Sequence, residues 1–216
     1  MTAMKINLNL LLLASLLTQA LADPGTTSFD NTGVALKGWT IGVTGKGEAK
    51  WIIEKDTSAP SGASVLKQSG VADYPVILKD APAIKDGFVE VKGKAISGSK
   101  DQAIGVIWRA RDLNNYYVCR ANALEDNVVL YKVVNGKRSP LDIVGRSGGY
   151  GVDAKVEPQK WHTMRVEFSG DTFKVIWNGK ELFQVKDASF TEAGKTGLWT
   201  KADSVVVFDD FTSTSK

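Results

Sequence analysis

Cysteine is nearly missing from this 216-residue sequence, in which Cys119 is the only one. An intrachain disulfide is therefore excluded, and a hydrophobic core must supply the stability of the fold. Cys119 lies in the apolar run Tyr116–Cys119, which predicts a small buried hydrophobe rather than a nucleophile. Histidine is equally scarce. One histidine, His162, with one cysteine excludes a metal cluster built from these residue types.

An excess of charge of one sign is also missing. The chain has 27 Lys and Arg against 24 Asp and Glu, a formal net charge of +3, and the two signs are interspersed. Proteins that bind nucleic acid concentrate positive charge on one surface, so this balance argues against a nucleic-acid partner. The composition leaves the oligomeric state open.

Long hydrophobic runs are missing except at the N-terminus. There Lys5 is followed by the apolar segment Leu8–Leu17 and by Ala20-Leu21-Ala22. This order predicts a secretory signal peptide over residues 1–22, with an exported mature protein, periplasmic or secreted, that begins near Asp23. A short N-terminal membrane anchor is the alternative. No later stretch approaches the roughly 20 apolar residues that a spanning helix needs, so no membrane insertion is expected after signal removal.

Helical periodicity of useful length is missing from the rest of the chain, which instead reads as short strands separated by turns. Asn135-Gly136 and Asn178-Gly179 stand between alternating apolar runs, the strongest short-range signal for a β-hairpin. About a dozen short strands predict an all-β fold, a two-sheet antiparallel jelly-roll sandwich that forms a single domain over residues 23–216. The other predicted strands are Trp51–Glu54, Ser64–Gln68, Phe88–Ile96, Ala103–Arg111, Asn115–Asn122, Trp161–Phe168, Gly197–Lys201 and Ser204–Thr212.

Several motifs along the mature chain resemble a known superfamily. They are Trp161-His-Thr-Met-Arg-Val-Glu167, Gly105-Val-Ile-Trp-Arg109, Asn114-Asn-Tyr-Tyr117, Gly197-Leu-Trp-Thr200 and Phe208-Asp-Asp-Phe211. The series is similar to the concanavalin A-like and laminin G-like jelly rolls. It is closest to bacterial exported domains of the 3-keto-disaccharide hydrolase-like, family-16 glycosidase-like group. The resemblance covers roughly residues 39–211 and implies a β-sandwich that handles carbohydrate.

The catalytic pattern of family-16 glycosidases is not found. Those enzymes carry Glu-x-Asp-x-Glu on one strand, where alternation turns all three carboxylates into the cleft, and this sequence has no such run. Hydrolysis by that mechanism is therefore in doubt, and no catalytic residue can be named. Paired carboxylates from different strands stay open as an alternative.

Aromatic residues beside hydrogen-bonding ones are the features that favour a carbohydrate ligand. We expect the domain to hold a saccharide in the groove of its concave sheet. The alternatives are a hydrolase acting on glycosides or 3-keto-disaccharides, and a non-catalytic protein-interaction module of the cell envelope. The candidate ligand-binding residues are Arg109, Tyr117, Arg120, Asn122, Trp199 and Lys201.

Two acidic residues interrupt the strongly apolar final strand. A buried carboxylate without a partner is costly, so Asp209 and Asp210 need either a cation or solvent. One solution is a structural calcium ion held by this strand and an N-terminal loop. The alternatives are pairing with Lys or Arg, or simple exposure. No other cofactor is indicated.

Overall fold

The computed structural model describes residues 25–30, 36–146 and 148–216, which form sixteen β-strands and no helix. The predicted signal peptide, residues 1–22, lies outside the described residues. Within the described ranges no helix is long and apolar enough to cross a membrane. The strands, in chain order, are β1 (Thr26–Thr27), β2 (Trp39–Gly47), β3 (Trp51–Lys55), β4 (Ser64–Gln68), β5 (Ala72–Ile84), β6 (Gly87–Ser97), β7 (Ala103–Asp112), β8 (Asn115–Asn122), β9 (Asn127–Val134), β10 (Lys137–Pro140), β11 (Val152–Asp153), β12 (His162–Ser169), β13 (Thr172–Trp177), β14 (Lys180–Lys186), β15 (Gly194–Trp199) and β16 (Val205–Ser215).

The strands form two antiparallel sheets of eight. The first sheet has the order β14-β13-β12-β6-β16-β4-β3, with β1 paired to β16. The second sheet has the order β10-β9-β8-β7-β15-β5-β2, with β11 paired to β9. Neighbouring strands are often far apart in sequence, as with β6 and β16 in the first sheet and β7 and β15 in the second. The predicted two-sheet jelly-roll sandwich is confirmed.

Alternation within the strands builds the core between the sheets. In β12, Met164, Val166 and Phe168 are fully buried while Arg165 and Glu167 point outward and are partly exposed. This period of two is the side-chain repeat of an extended strand, and it places every second residue in the interior. Cys119 belongs to the same core as a free, buried thiol, and burial raises its pKa well above the usual value.

The two Asn-Gly hairpins have the expected backbone. Asn135 and Gly136 have φ values of 51° and 77°, and Asn178 and Gly179 have 49° and 77°. Positive φ at both central residues matches the right-handed twist of the flanking strands, which explains why Asn-Gly is preferred there. These turns set the register of β9 with β10 and of β13 with β14.

A second apolar cluster lies on the other side of the second sheet. Both faces of this sheet are therefore covered, unlike a sheet with one face in water. We call this side of the second sheet the concave face. Its fully or nearly buried members are Val76, Leu78, Ala103, Ile107, Ala110, Tyr116, Val118, Val129, Tyr131, Val133 and Trp199.

Candidate functional site

Strand β8 divides its side chains between the core and the concave face. Tyr117 and Cys119 point into the core between the sheets, whereas Val118 packs in the cluster of the concave face. Arg120 and Asn122 have the same parity as Val118 and therefore share its face. Both polar residues are buried, with exposed fractions of 1% and 0%. Burial of an arginine and an asparagine requires partners, and the concave face supplies them.

The second sheet curls strongly enough to bring distant strands together. The hydroxyls of Thr44 in β2 and Tyr116 in β8 are 2.7 Å apart. Three strands separate them, so in a flat sheet the backbones would be about 19 Å apart. Thr44 donates its proton to the carbonyl oxygen of Leu113, so it accepts one from Tyr116. The side chain of Leu113 packs directly over Gly42. A Cβ atom added to Gly42 would lie only 2.2 Å from Cδ1 of Leu113, so a larger residue does not fit there.

Aromatic side chains occupy the centre of the concave face. The rings of Tyr74 and Trp199 stack with their centroids 5.3 Å apart and their planes 20° apart. Trp199 is fully buried, and Gly105 beside it has no side chain that would push the indole away from the sheet: a Cβ there would lie 3.1 Å from Cε3 of Trp199. The indole of Trp199 is therefore covered by neighbouring side chains and is not exposed for stacking. Tyr116 on the same face is buried as well, and burial raises its pKa to about 12.

An ordered chain of polar groups crosses one end of this face. Nη2 of Arg120 is 2.7 Å from Oε2 of Glu125, and the other carboxylate oxygen of Glu125 accepts from Nδ2 of Asn122 at 2.9 Å. The same amide nitrogen donates to Oδ1 of Asp101 at 2.8 Å. Oδ2 of Asp101 is 2.8 Å from Nζ of Lys201. Two carboxylates therefore share one buried amide, and each is neutralised by its own cation.

Tyrosines complete the surroundings of Arg120. Its Nη2 donates to the hydroxyls of Tyr131 at 3.3 Å and Tyr150 at 3.1 Å, and its Nη1 donates to Oδ1 of Asn127. Burial opposes ionisation of Glu125, but the adjacent guanidinium outweighs it and holds the pKa of this carboxyl below its usual value. Glu125 is therefore an ionised acceptor near neutral pH and is unsuited to act as a general acid.

The expected position of Arg109 on the concave face is wrong. A β-bulge follows Trp108, and Arg109 takes a φ of 48°. A bulge inserts an extra residue and breaks the alternation, so Arg109 follows Trp108 into the interior. There its guanidinium lies 5.5 Å from the ring of Phe173 and donates at 2.9 Å to the carbonyl oxygen of Phe190. It closes one end of the core.

The position of Tyr117 is likewise wrong, because its parity in β8 is opposite to that of Arg120. Its ring packs in the core against Trp108 and Phe173. Its hydroxyl donates to Oδ1 of Asp187 at 2.6 Å and accepts from the backbone N–H of Phe190 at 3.0 Å. The structure thus brings four of the six candidates, Arg120, Asn122, Trp199 and Lys201, to one face. Their role in binding stays a prediction.

An open depression of about 670 Å³ lies beside this cluster. Tyr74 and Lys201 line it, together with Asp73, Lys46 and Lys100. The remaining wall is small or backbone-rich and consists of Gly45, Gly47, Val71, Ala72, Gly136 and Ala202. The depression therefore connects one aromatic ring and several charged groups with solvent.

The acidic pair of the last strand is held by protein donors. Oδ2 of Asp209 accepts from the backbone N–H of Ser61 at 2.9 Å, and Asp210 pairs with Nζ of Lys92 at 2.7 Å. Burial raises the pKa of Asp209 to about 6. In the described part of the chain no group of three or more Asp, Glu, His or Cys residues is placed to hold a metal ion. The calcium prediction also called for ligands from an N-terminal loop, and the site stays a prediction.

Sequence reasoning missed several groups on the concave face. Asp101 and Arg138 carry no local signal, because only the folded sheet brings them near their partners. Glu125 lies in the turn between β8 and β9, where a tight hairpin between Asn122 and Asn127 could have indicated its contact with Arg120. Tyr150 lies in the long loop after β10.

Solved structures share the architecture. A carbohydrate-binding module, CBM66, from Bacillus subtilis is similar with a TM-score of 0.65 and 22% identity, over 82% of this chain and 96% of that one. A β-1,3-1,4-glucanase (lichenase) derived from a mouse hindgut metagenome has a TM-score of 0.52 and 10% identity, over 87% and 97%. A β-glucanase of Bacillus licheniformis has a TM-score of 0.50 and 12% identity, over 89% and 98%. No curated protein matches the chain.

These features define a class: a two-sheet antiparallel jelly roll of the concanavalin A-like type, with a buried aromatic and ion-paired cluster on the concave face of one sheet. The chain can also be assigned to a family within this class. The model of the 3-keto-alpha-glucoside-1,2-lyase-like domain matches residues 25–212, and the chain belongs to that family. The resemblance drawn from the sequence motifs is confirmed.

Proposed function

We propose that this domain binds a saccharide at the concave face of its second sheet, with the depression beside Tyr74 as the point of entry. The observation that carries the proposal is the meeting of an aromatic ring, Lys201 and Asp73 around an open volume next to a rigid polar network. Sites for small ligands combine apolar or aromatic walls with a few fixed polar groups. The family and the similarity to a carbohydrate-binding module support the same reading.

The accessible edge of the site determines how a sugar would lie. Trp199 is covered, so the ring of Tyr74, which is partly exposed and rests on Trp199, is the surface offered to a sugar face. Lys201 is held by Asp101, and Asp73 accepts from the backbone N–H of Lys46 at 2.8 Å. Groups fixed in this way lose little conformational entropy on binding, which favours affinity.

The binding experiment is a glycan array probed with protein that starts at Asp23, followed by calorimetry on any hit. We expect Tyr74→Ala to weaken binding at least tenfold, since the stacking surface is removed. Trp161→Ala is the matched control and should leave affinity unchanged, because Trp161 precedes β12 of the first sheet, lies under Lys94 and does not line the depression. Equal affinity of the Tyr74 variant and the unmodified protein would contradict the proposal.

We also propose that the protein acts outside the cytoplasm after loss of residues 1–22. The positive start, the short apolar segment and the small-residue site support this. Intact mass measurement of protein secreted from a bacterial host should give a chain beginning near Asp23. A full-length chain retained in the cytoplasmic fraction would refute it.

A second candidate function is catalytic, and one observation favours it. Asp101 and Glu125 come from different segments, yet both accept from Nδ2 of Asn122. Paired carboxylates are the groups that glycoside-cleaving enzymes use, and the family is described as lyase-like. An ionised Glu125 at the edge of the site could serve as a base. Incubation with a 3-keto-α-glucoside and detection of the released sugar tests this, with Glu125→Gln expected to abolish turnover.

The third reading, a non-catalytic interaction module, lacks a comparable observation. The exposed large apolar residues of the described chain include Ile41 in β2, Ile52 in β3 and Leu124 in the β8–β9 turn. Ile41 and Ile52 belong to different sheets and Leu124 to a turn, so these three residues do not define one apolar sheet face of the kind that marks a protein interface.

A further inference from the structure

Arg138 reaches across the concave face from its edge strand. It lies in β10 opposite Val133, which places it on the same face as that residue. Its Cζ atom is 4.2 Å from the ring centre of Tyr131, 5.0 Å from that of Tyr74 and 5.6 Å from that of Trp199. Three aromatic rings thus surround one guanidinium at the centre of the face.

This guanidinium lacks the partners that such a position requires. Its Nη1 is buried and has no hydrogen-bond partner in the described residues. The other two cations of the face are neutralised, Arg120 by Glu125 and Lys201 by Asp101. Arg138 makes no ion pair in the described part of the chain, whose salt bridges all involve other residues. A buried donor left without an acceptor is costly, so the face is missing an acceptor.

A second buried N–H group on this face, that of Arg120 Nε, also lacks a hydrogen-bond acceptor in the described ranges. The side chain of Arg120 is almost fully buried. Arginine has five N–H donors and no acceptor, so both positions need acceptors, and an oxygen-rich ligand can supply them. The single ring of Tyr131 lies within 6 Å of both guanidinium groups.

The depression beside Tyr74 also carries positively charged side chains. Lys46 and Lys100 line the depression, and neither forms an ion pair within the described residues. Arg138 is not part of the lining, but its Cζ atom is 5.0 Å from the ring of Tyr74, which is. Asp73 is the one acidic group in the lining.

We propose that the ligand is an acidic saccharide, a uronate-type sugar whose carboxylate pairs with the guanidinium of Arg138. This inference rests on the proposed function and names its ligand class. A carboxylate matches the planar fork of arginine and forms charge-assisted bonds, which are stronger than bonds to neutral hydroxyls. A neutral sugar could satisfy one N–H but would leave Arg138, Lys46 and Lys100 without counter-charge. The aromatic rings supply the surface for the sugar body.

The experiment compares two probes that differ only in charge. Trigalacturonate and its carboxyl-reduced form, in which each carboxylate becomes a primary alcohol, are titrated into the protein in a calorimeter. We expect the acidic form to bind about 10- to 100-fold more tightly, the range of a charge-assisted hydrogen bond. Affinity should fall as salt rises, because the Lys46 and Lys100 contribution is exposed to screening.

Substitutions of Arg138 test whether this residue causes the preference for the acidic probe. Arg138→Gln should remove most of the preference for the acidic probe, while Arg138→Lys should retain part of it because the charge is kept and the fork is lost. Arg165→Gln is the matched control, since Arg165 lies on the first sheet beside Glu90 and Glu167. If Arg138→Gln does not fold, the surface double variant Lys46→Gln, Lys100→Gln replaces it and should weaken the acidic probe several-fold.

The outcomes separate the two proposals. Equal binding of both probes, or an unchanged preference in the Arg138 and double lysine variants, overturns the acidic ligand and leaves saccharide binding standing. Displacement of trigalacturonate by polyglutamate at equal charge also overturns it, because the site then recognises charge alone. Failure to bind any glycan on the array removes both proposals.

Discussion

Arg120 and Glu125 form an ion pair across the β8–β9 turn, with Nη2 and Oε2 2.7 Å apart. The two ends of the pair differ in exposure: the arginine side chain is 2% exposed and the glutamate side chain 36%. The cation is therefore buried and depends on a carboxylate that solvent can reach. This asymmetry makes the pair sensitive to loss of the acid.

Removal of that acid should destabilise the fold. Glu125→Gln leaves the buried guanidinium without its counter-charge, and we expect a loss of about 1–3 kcal/mol in the free energy of unfolding, below the full cost for a buried pair because Glu125 is partly screened. Urea denaturation measures the change. Glu157→Gln, which breaks an exposed pair with Lys160, is the control and should have no measurable effect. Equal losses in both variants would contradict the prediction.

The contact between Thr44 and Tyr116 tests the curl of the second sheet. Thr44→Val and Tyr116→Phe each remove one hydroxyl and keep the shape of the side chain. We expect a coupling free energy of about 1 kcal/mol in a double-mutant cycle, the usual net worth of a hydrogen bond. The measurement is urea unfolding of the four proteins. Additive effects would mean that β2 and β8 do not meet in solution.

Asp187 should make stability depend on acid pH. Burial opposes its ionisation, but hydrogen bonds from Ser189, Tyr117 and Lys132 outweigh this and lower its pKa to about 2. As pH falls below 4 the unfolded chain takes up the proton first, so the stability that Asp187 contributes is present above pH 4 and is lost between about pH 4 and 2. The loss is about 2 kcal/mol at most.

The matching experiment follows the unfolding free energy from pH 6 to pH 2 in the unmodified protein and in Asp187→Asn. The difference between the two should shrink as the pH falls, because the variant has already lost the ionised form. Asp142→Asn, in the exposed loop after β10, serves as the control. A difference that stays constant with pH would reject the role of Asp187.

The calcium prediction for Asp209 and Asp210 has a direct thermal test. A bound ion stabilises the folded state by mass action, so added calcium must raise the melting temperature and a chelator must lower it again. Asp210→Asn must remove the response. An unchanged melting temperature through both steps ends the prediction and leaves Ser61 and Lys92 as the partners of the pair.

Most of the strand pattern could be predicted from local sequence, because alternation and Asn-Gly turns act over a few residues. Ser64–Gln68 and Asn115–Asn122 have the predicted bounds, and most other predicted strands differ by one to three residues at their ends. Four strands were missed: the two-residue β1 and β11, and the longer β2 and β5. In β5, Pro75 and Pro82 interrupt the pattern, and in β2 Gly42, Gly45 and Gly47 do so.

The candidate site was predicted only in part, and parity explains the division. Arg120 with Asn122, and Trp199 with Lys201, each lie two residues apart, and these four residues gather on one face. Tyr117 is three residues from Arg120, so alternation alone already places it on the other face. Arg109 failed for a different reason, since no local pattern indicated the bulge after Trp108.

The sequence by itself determined the class of fold, the hairpin turns and the absence of disulfides, because these depend on side-chain period, backbone preference and composition. Only the tertiary structure decided the partners of the buried charges. Asp101, Glu125 and Lys201 meet around Asn122, and Arg138 comes to rest among three aromatic rings, because a curled sheet brings together strands that are distant in the chain. Contacts of that kind depend on sheet order and curvature, which no short stretch of residues specifies.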